Sequence, residues 1–145
     1  MRYKHVKAGT AEQYNTATGE LTAILATGED TDNRVAIFDS TLPQGSGAPW
    51  HYHEIDDEIF YIISGEVEFG VEDELFTATA GDLVIAGPYV KRRFTALTGS
   101  HVLFINAPGG PAEGFIREIS SFTDDNPPTD CDRQRFIDLY KIHFV

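Results

Sequence analysis

The sequence predicts an all-β protein that folds as a sandwich or barrel, with a short helical segment at its C-terminus. Eight short segments are rich in β-branched and aromatic residues, which favour strands. Between them stand Gly, Pro, Asp, Asn and Thr, residues that commonly form turns. A chain of 145 residues, 41% of them hydrophobic, is long enough for one core and too short for two. We therefore expect a single domain over residues 1–145.

The predicted strands follow one another at short spacing. They cover residues 21–26, 34–42, 58–64, 66–71, 74–80, 82–86, 92–97 and 101–106. Stretches such as TGEDTDN, PQGSG, SGE, AGD and LTGS separate them. Many short strands divided in this way are typical of sandwiches and barrels, so we place the β core at about residues 20–108.

The strand predicted at 58–64 has two apolar faces. Side chains alternate along a strand, so Phe60 and Ile62 point to one side while Tyr61 and Ile63 point to the other. One side faces the interior, and a terminal segment, a helix or a partner subunit covers the other. Among these arrangements we expect a homodimer.

The last third of the chain has helical character, and we expect a helical extension over about residues 111–145. Residues 111–120 form a short helix in this interpretation, and FTDDNPP is a break. Residues 129–145 have apolar side chains at helical spacing behind an N-cap candidate, Thr129 or Asp130. This second helix is expected to pack on the sandwich.

Charge and composition exclude several classes of function. The chain has 11 Lys and Arg against 23 Asp and Glu, a net charge of -12, which argues against binding nucleic acid or an anionic membrane. It shows neither a signal-peptide pattern nor an apolar run of about 20 residues, so we expect a soluble, cytoplasmic protein. The single Cys131 excludes an internal disulfide and a thiolate metal cluster within one chain.

A candidate metal site stands at His51, His53 and Glu58. Residues two apart in a strand share a face, so both imidazoles can point to one interior position. We expect the next strand to pair with this one as a hairpin and to bring Glu58 to the same position. Two imidazoles and a carboxylate hold divalent Fe, Mn, Co, Ni or Zn with positions open for substrate.

These residues belong to a longer pattern, G-x5-H-x-H-x4-E-x6-G, which runs from Gly45 to Gly65. Its spacing resembles the first motif of the cupin family. Fifteen residues later, GDLVIAGPYVKRRF, beginning at Gly81, resembles the second cupin motif. The resemblance implies a cupin jelly-roll β-barrel that holds a metal. More narrowly, ATGEDTDNRVAIFDSTLPQGSGAPWHYH and the C-terminal third resemble small bacterial cupins of the quercetin dioxygenase type.

The second motif departs from the family at its metal-binding histidine, where this chain has Arg92, or Arg93 if the shifted proline is allowed for. A guanidinium stays protonated and cannot ligate a metal. At about 5 Å from a divalent ion, its charge opposes binding by roughly 7 kcal/mol at an effective dielectric of about 20. Three outcomes are open: Arg92 swings aside and a three-ligand metal survives, Arg92 pairs with Glu58 and the metal is lost, or another side chain supplies a ligand.

We expect no other histidine to replace the missing ligand. If residues 92–104 form a hairpin, His101 shares the face of Arg92 but lies about 13 Å further along. His5 and His143 lie near the termini, where solvated or helix-packing roles are expected. By strand parity Phe60 and Phe94 line the pocket. Trp50 and Tyr52 are expected in the core or in a dimer contact.

The resemblance implies a metal-dependent, dioxygenase-like enzyme acting on an aromatic or enolic small molecule. In this hypothesis Glu58 is both metal ligand and base, and Arg92 holds an anionic or enolate oxygen of the substrate. An alternative is a non-oxidative isomerase, cyclase or lyase, in which the metal or Arg92 stabilises an enolate. A third hypothesis is a metal-free cupin that binds a small anionic ligand without converting it.

Overall fold

The structure is a computed structural model that describes residues 2–145. It contains eleven strands, two α-helices and one 3-10 turn. The strands are β1 (Glu12–Asn15), β2 (Leu21–Ala26), β3 (Ala36–Leu42), β4 (Gly47–His53), β5 (Asp57–Ser64), β6 (Glu66–Val71), β7 (Glu74–Thr79), β8 (Leu83–Ala86), β9 (Arg92–Ala96), β10 (Ser100–Ala107) and β11 (Ile142–Phe144). The helices are the 3-10 turn at Glu29–Thr31, α1 (Ala112–Ile119) and α2 (Asp130–Tyr140).

Two antiparallel sheets form the body of the protein. The six-stranded sheet has the order β1-β2-β3-β10-β5-β8, and the five-stranded sheet has the order β11-β4-β9-β6-β7. Chain neighbours such as β3, β4 and β5 alternate between the sheets, which is the strand crossing of a jelly roll. The all-β prediction is confirmed.

The chain crossings overturn two predicted hairpins. β9 pairs with β4 and β6, whereas β10 pairs with β3 and β5, so residues 92–104 do not form a hairpin. β4 and β5 likewise belong to different sheets, and Glu58 approaches the histidines across the interior. The short loops between these strands favoured hairpins in the sequence analysis. In the structure, the successive strands face one another across the core, where the inner face of each sheet is buried.

The motif glycine Gly65 forms the tight turn between β5 and β6. Its φ of +88° lies in the left-handed region, which side chains disfavour. A Cβ on this residue would also lie 2.2 Å from the Ser100 hydroxyl. Glycine is therefore required here by conformation and by space.

Phenylalanine rings fill the space between the sheets. Phe60 packs edge-on against Phe69, Phe94 and Phe104, with ring centroids 5.1, 5.4 and 5.2 Å apart. The side chain of Phe60 is fully buried. This cluster forms one half of the interior, beside the candidate site.

The second apolar face of β5 is open within this chain. Glu58, Phe60 and Ile62 point inward, but Tyr61 and Ile63 remain 39% and 41% exposed. The expectation that a terminal segment or helix covers this face is therefore wrong. A partner subunit stays a prediction.

The C-terminal extension is only partly helical. Thr129 is the N-cap of α2, since its hydroxyl accepts a hydrogen bond from the Asp132 amide at 3.2 Å. The predicted helix over 129–145 is too long, because Lys141 adopts a left-handed conformation with φ of 57° and ends it. The chain then forms β11, which pairs with β4. None of the described helices has the length and apolar character needed to cross a membrane.

Candidate metal centre

His51, His53 and Glu58 converge at one point inside the protein. The two histidines occupy alternate positions of β4, and Glu58 faces them from β5 in the opposite sheet. The Nε2 atoms of His51 and His53 lie 3.6 and 3.5 Å from Oε2 of Glu58. One ligand atom from each of the three lies within 4.8 Å of the others, and all three residues are buried.

Hydrogen bonds on the far side of each imidazole orient the pair. The Nδ1 atom of His51 lies 2.8 Å from the Pro49 carbonyl oxygen. That of His53 lies 2.9 Å from a carboxylate oxygen of Asp56, which also accepts a 2.7 Å hydrogen bond from the Asn106 amide. An acceptor at Nδ1 favours the tautomer with its proton there, which leaves Nε2 free as a ligand.

Asp56 is itself held in its charged form. Burial would raise its pKa, but the bonds from His53 and Asn106 outweigh burial and lower it. The carboxylate therefore remains available to orient His53.

The donor set fits a divalent metal ion. Two imidazole lone pairs and one carboxylate oxygen point at the same small space, and such an arrangement needs a cation or a proton between them. Oriented Nδ1 atoms are the usual companions of metal-ligating histidines. His51, His53 and Glu58 are therefore arranged as a possible metal site.

Arg92 stands beside this site as the fully buried partner of Glu58. In the pairing of β4 with β9 it lies opposite His51. Its Nε donates a 2.9 Å hydrogen bond to Oε2 of Glu58, and its Nη1 donates to the Val90 carbonyl at 2.8 Å. Nη2 is also 2.9 Å from Oε2, but at an angle that leaves it without a hydrogen bond. Arg92 is therefore paired with Glu58 and has not swung aside.

Arg93 has a different environment. Its guanidinium pairs with Glu68 at 3.0 Å and lies 5.7 Å from the centre of the Trp50 ring. Of the two arginines that could replace the family's histidine, Arg92 is the one at the site.

The charges around Glu58 keep it ionised. Burial would raise its pKa, but His53, His51 and Arg92 together hold the pKa well below its usual range. Glu58 is therefore an ionised carboxylate, the form in which a carboxyl group ligates a metal.

A cavity of about 410 Å³ opens onto the metal-ligand residues. Most of its wall is apolar and includes Phe38, Phe94, Phe104, Phe115, Phe122 and Phe144. The C-terminal extension contributes part of the wall through α1 and α2. Its volume lies in the range of pockets that bind small organic molecules.

The structure separates the predicted pocket residues. Phe94 lies on the cavity wall. Phe60 does not, because the neighbouring aromatic rings enclose it in the core. Arg92 is likewise 0% exposed and does not line the cavity, and its contact with substrate stays a prediction.

The remaining histidines lie away from the site. His101 points outward and pairs with Asp39 at 2.7 Å, so it does not share the face of Arg92. His143 pairs with Glu54 at 2.6 Å and stacks on Tyr52. His5 is exposed.

Sequence reasoning missed three residues near the site: Asp56, Asn106 and Glu20. For Asn106 and Glu20, the alternation of side chains along a strand indicated an inward position. Asn106 shares the inward face of β10 with Phe104, and Glu20 precedes the inward Thr22 of β2. A polar residue at an inward position is expected to serve a site or a hydrogen-bond network.

The sequence signature of the Cupin_2 family, described as "Cupin domain", matches residues 38–107, which include His51, His53, Glu58 and Arg92. These residues are similar to a cupin domain, and the two sheets have the arrangement of a cupin jelly roll. None of the curated protein sequences matches the chain significantly.

Solved structures share this cupin fold at low sequence identity. An RmlC-like cupin from Shewanella frigidimarina has a TM-score of 0.67 at 18% identity, covering 77% of this chain and 97% of its own. Ectoine synthase from P. lautus has a TM-score of 0.67 at 20% identity, covering 83% and 87%. Pac13 from Streptomyces, a nucleoside dehydratase, has a TM-score of 0.63 at 16% identity, covering 78% and 88%. These similarities concern the fold.

Proposed function

We propose that this cupin is an enzyme that moves protons on an enolisable small molecule, as an isomerase, cyclase or lyase. The convergence of Nε2 of His51, Nε2 of His53 and Oε2 of Glu58 at the end of a cavity carries the proposal. These residues would hold a divalent Fe, Mn, Co, Ni or Zn ion. When bound, the ion supplies Lewis-acid stabilisation of negative charge on a substrate oxygen.

The electrostatics of the site favour an anionic or enolic ligand. With neutral imidazoles, the charges of Glu58 and Arg92 cancel, Asp56 adds one negative charge, and a divalent cation would leave an excess of one positive charge in a buried place. A negative oxygen on the substrate offsets that excess. We propose Arg92 as a positioning residue that fixes Oε2 of Glu58 and adds positive potential, without touching the substrate.

The wall of the cavity supports a substrate with an apolar or aromatic body. Phe94, Phe104 and Phe115 face the same space as the histidines. Flat apolar rings bury well against such side chains, while a few polar groups set their orientation.

A quercetinase-like dioxygenase is the second candidate function. The aromatic wall and the three ligands favour it. The family's remaining ligand is replaced by Arg92, and the guanidinium of Arg92 is bound to the same Glu58 oxygen that faces the imidazoles. These two observations favour proton transfer over oxygen chemistry.

Phenylpyruvate is a suitable probe, because it is anionic, aromatic and enolisable. Metal content is measured by elemental analysis, and exchange of its C3 protons in D2O is followed by NMR without oxygen. We expect stoichiometric metal and catalysed exchange, both lost in His51→Gln. His101→Gln, with its histidine on the outer face, should retain both.

Two other outcomes would favour a different function. Oxygen consumption with quercetin and no anaerobic exchange would favour the dioxygenase. Metal-free protein that binds phenylpyruvate without exchange would favour the metal-free binding hypothesis.

A further inference from the structure

Glu20 is a carboxyl group on the wall of the same cavity and outside the metal-ligand set. It stands directly before β2, where alternation turns Glu20 inward with Thr22. The turn that delivers it is closed by the Thr16 amide, which donates a 2.9 Å hydrogen bond to the Glu20 carbonyl. The position of Glu20 is therefore set by backbone structure.

Two buried hydroxyls accompany this carboxyl group. Thr22 and Ser40 lie opposite one another in the pairing of β2 with β3, and their hydroxyl oxygens are 2.8 Å apart. They are 2% and 1% exposed. Thr22 and Ser40 line the same cavity as Glu20, and their hydroxyls are polar partners of its carboxyl group.

The surroundings of Glu20 suit a group that exchanges protons near neutral pH. Burial raises its pKa to about 7, with a smaller increase from the charge of Glu58, while Ser40 and Thr22 oppose the rise. The other titratable or charged residues on the cavity wall are His51, His53, Asp124 and Arg133. A proton-transfer residue works best when its pKa is near the working pH.

We propose that Glu20 is the residue that accepts and returns the substrate proton in this cavity. The inference rests on the proposed function. The Glu20 carboxylate takes a proton from a substrate carbon, the electron pair of the broken C–H bond stays on the substrate as an enolate, and the same proton returns to that carbon or to another. The step needs no oxidant or reductant.

The arrangement divides two tasks between two carboxylates. Oε2 of Glu58 accepts a hydrogen bond from Arg92 and faces both imidazoles, so its place is fixed at the metal-ligand set. Glu20 lines the same cavity without belonging to that set. In this proposal, a substrate that lies between Glu58 and Glu20 is held near Glu58 and is deprotonated by Glu20.

The first test compares Glu20→Gln and Glu20→Asp with wild type in the exchange of phenylpyruvate protons. We expect Glu20→Gln to lower the exchange rate by about 10²-fold or more while its metal content equals that of wild type. Glu20→Asp should keep part of the activity with a shifted pH profile. Glu29→Gln, an exposed glutamate in the 3-10 turn, is the matched control.

The second test does not depend on turnover. In protein labelled with ¹³C at the glutamate carboxyl carbons, the resonance missing from Glu20→Gln should titrate near pH 7 and shift when phenylpyruvate is added. A resonance that titrates near 4.5, or that ignores phenylpyruvate, overturns the proposal.

The two tests separate two failures. If wild type exchanges protons and Glu20→Gln exchanges them equally fast, the role of Glu20 is wrong and the proposed function stands. If metal-loaded wild type does not exchange protons, the proposed function fails, and the proton-transfer role fails with it.

Discussion

At the scale of single residues, the replacement of a metal-binding histidine by Arg92 distinguishes this site most clearly. The guanidinium binds the same oxygen, Oε2 of Glu58, that faces the two imidazoles. The positive charge of Arg92 therefore opposes the binding of a metal ion, while its hydrogen bond holds the candidate ligand Glu58 in place. In the proposed enzyme, Arg92 would both lower the affinity for the metal and add positive potential near the substrate.

Changing Arg92 to histidine is expected to increase metal affinity. The variant removes a positive charge beside the ion and adds a fourth ligand, so we expect the dissociation constant for Co²⁺ to fall at least about tenfold. Titration with Co²⁺, followed by its visible absorption, measures the change. Arg93→His on the outer side of β9 is the control, and equal affinities in all three proteins would contradict the prediction.

Glu20 is expected to make stability depend on pH. Its pKa rises from 4.5 to about 7 on folding, so the folded state binds the proton more tightly. The free energy of unfolding therefore falls as pH rises through this interval. At pH 8, Glu20→Gln should be more stable than wild type by about 1 to 3 kcal/mol, with no difference at pH 4.

Urea denaturation at the two pH values measures this effect. Glu29→Gln, which keeps Glu20 and changes an exposed side chain, should have the stability of wild type at both pH values. A Glu20→Gln variant less stable than wild type at pH 8 would mean that the carboxylate is stabilised in the fold.

At the scale of elements, the loop between β4 and β5 orients the metal-ligand strand. Asp56 in this loop accepts from His53 and from Asn106 of β10, which joins the two sheets at the site. On the other side, β11 pairs with β4 and places Phe144 opposite His51 and Ile142 opposite His53. The ligand strand is thus held by a loop and by the C-terminal strand.

Removing the Asp56 carboxylate should weaken metal binding without removing a ligand. In Asp56→Ala, His53 loses the acceptor at Nδ1 and can adopt the other tautomer, so we expect a loss of 10- to 100-fold, roughly the effect of such orienting groups elsewhere. Competition with a chelating dye measures the affinity. Asp57→Ala, the exposed neighbour, is the control, and equal losses in both variants would refute the orienting role.

At the scale of the whole molecule, the site exists only because three parts of the chain meet. The five-stranded sheet contributes the histidines, the six-stranded sheet contributes Glu58 and Glu20, and the C-terminal extension contributes part of the cavity wall. The protein carries a net charge of -12, but the site itself pairs its carboxylate with a guanidinium. The attraction of an anionic ligand that we propose would therefore be a local property of the cavity.

The outer face of the six-stranded sheet is where we expect a second copy of the chain to bind. Leu83 and Ile85 on the edge strand β8 are each 55% exposed and lie opposite Tyr61 and Ile59 of β5. One apolar face that meets itself across a two-fold axis makes a symmetric dimer. Sedimentation should show a dimer for wild type and a monomer for Leu83→Lys, with Leu75→Lys on the other sheet as control. A monomeric wild type would contradict the prediction.

Local pattern alone was enough for many elements. The strand predicted at 66–71 matches β6 residue for residue, and Thr129, one of the two predicted N-cap candidates, caps α2. His51, His53 and Glu58 could be found because the ligands stand within eight positions of one another. In each case the residues that carry the sequence signal stand within a few positions of one another along the chain.

Sequence patterns were sufficient to predict an all-β chain, three candidate metal ligands and the arginine that departs from the motif. The packing of the two sheets was needed to show that Arg92 pairs with Glu58, that Phe60 is enclosed, that β11 lies beside β4, and that Glu20 lines the cavity. Alternation along a strand tells which residues share a face, but the way the sheets cross determines which faces meet. Side chains far apart in sequence therefore became neighbours through the packing of the two sheets.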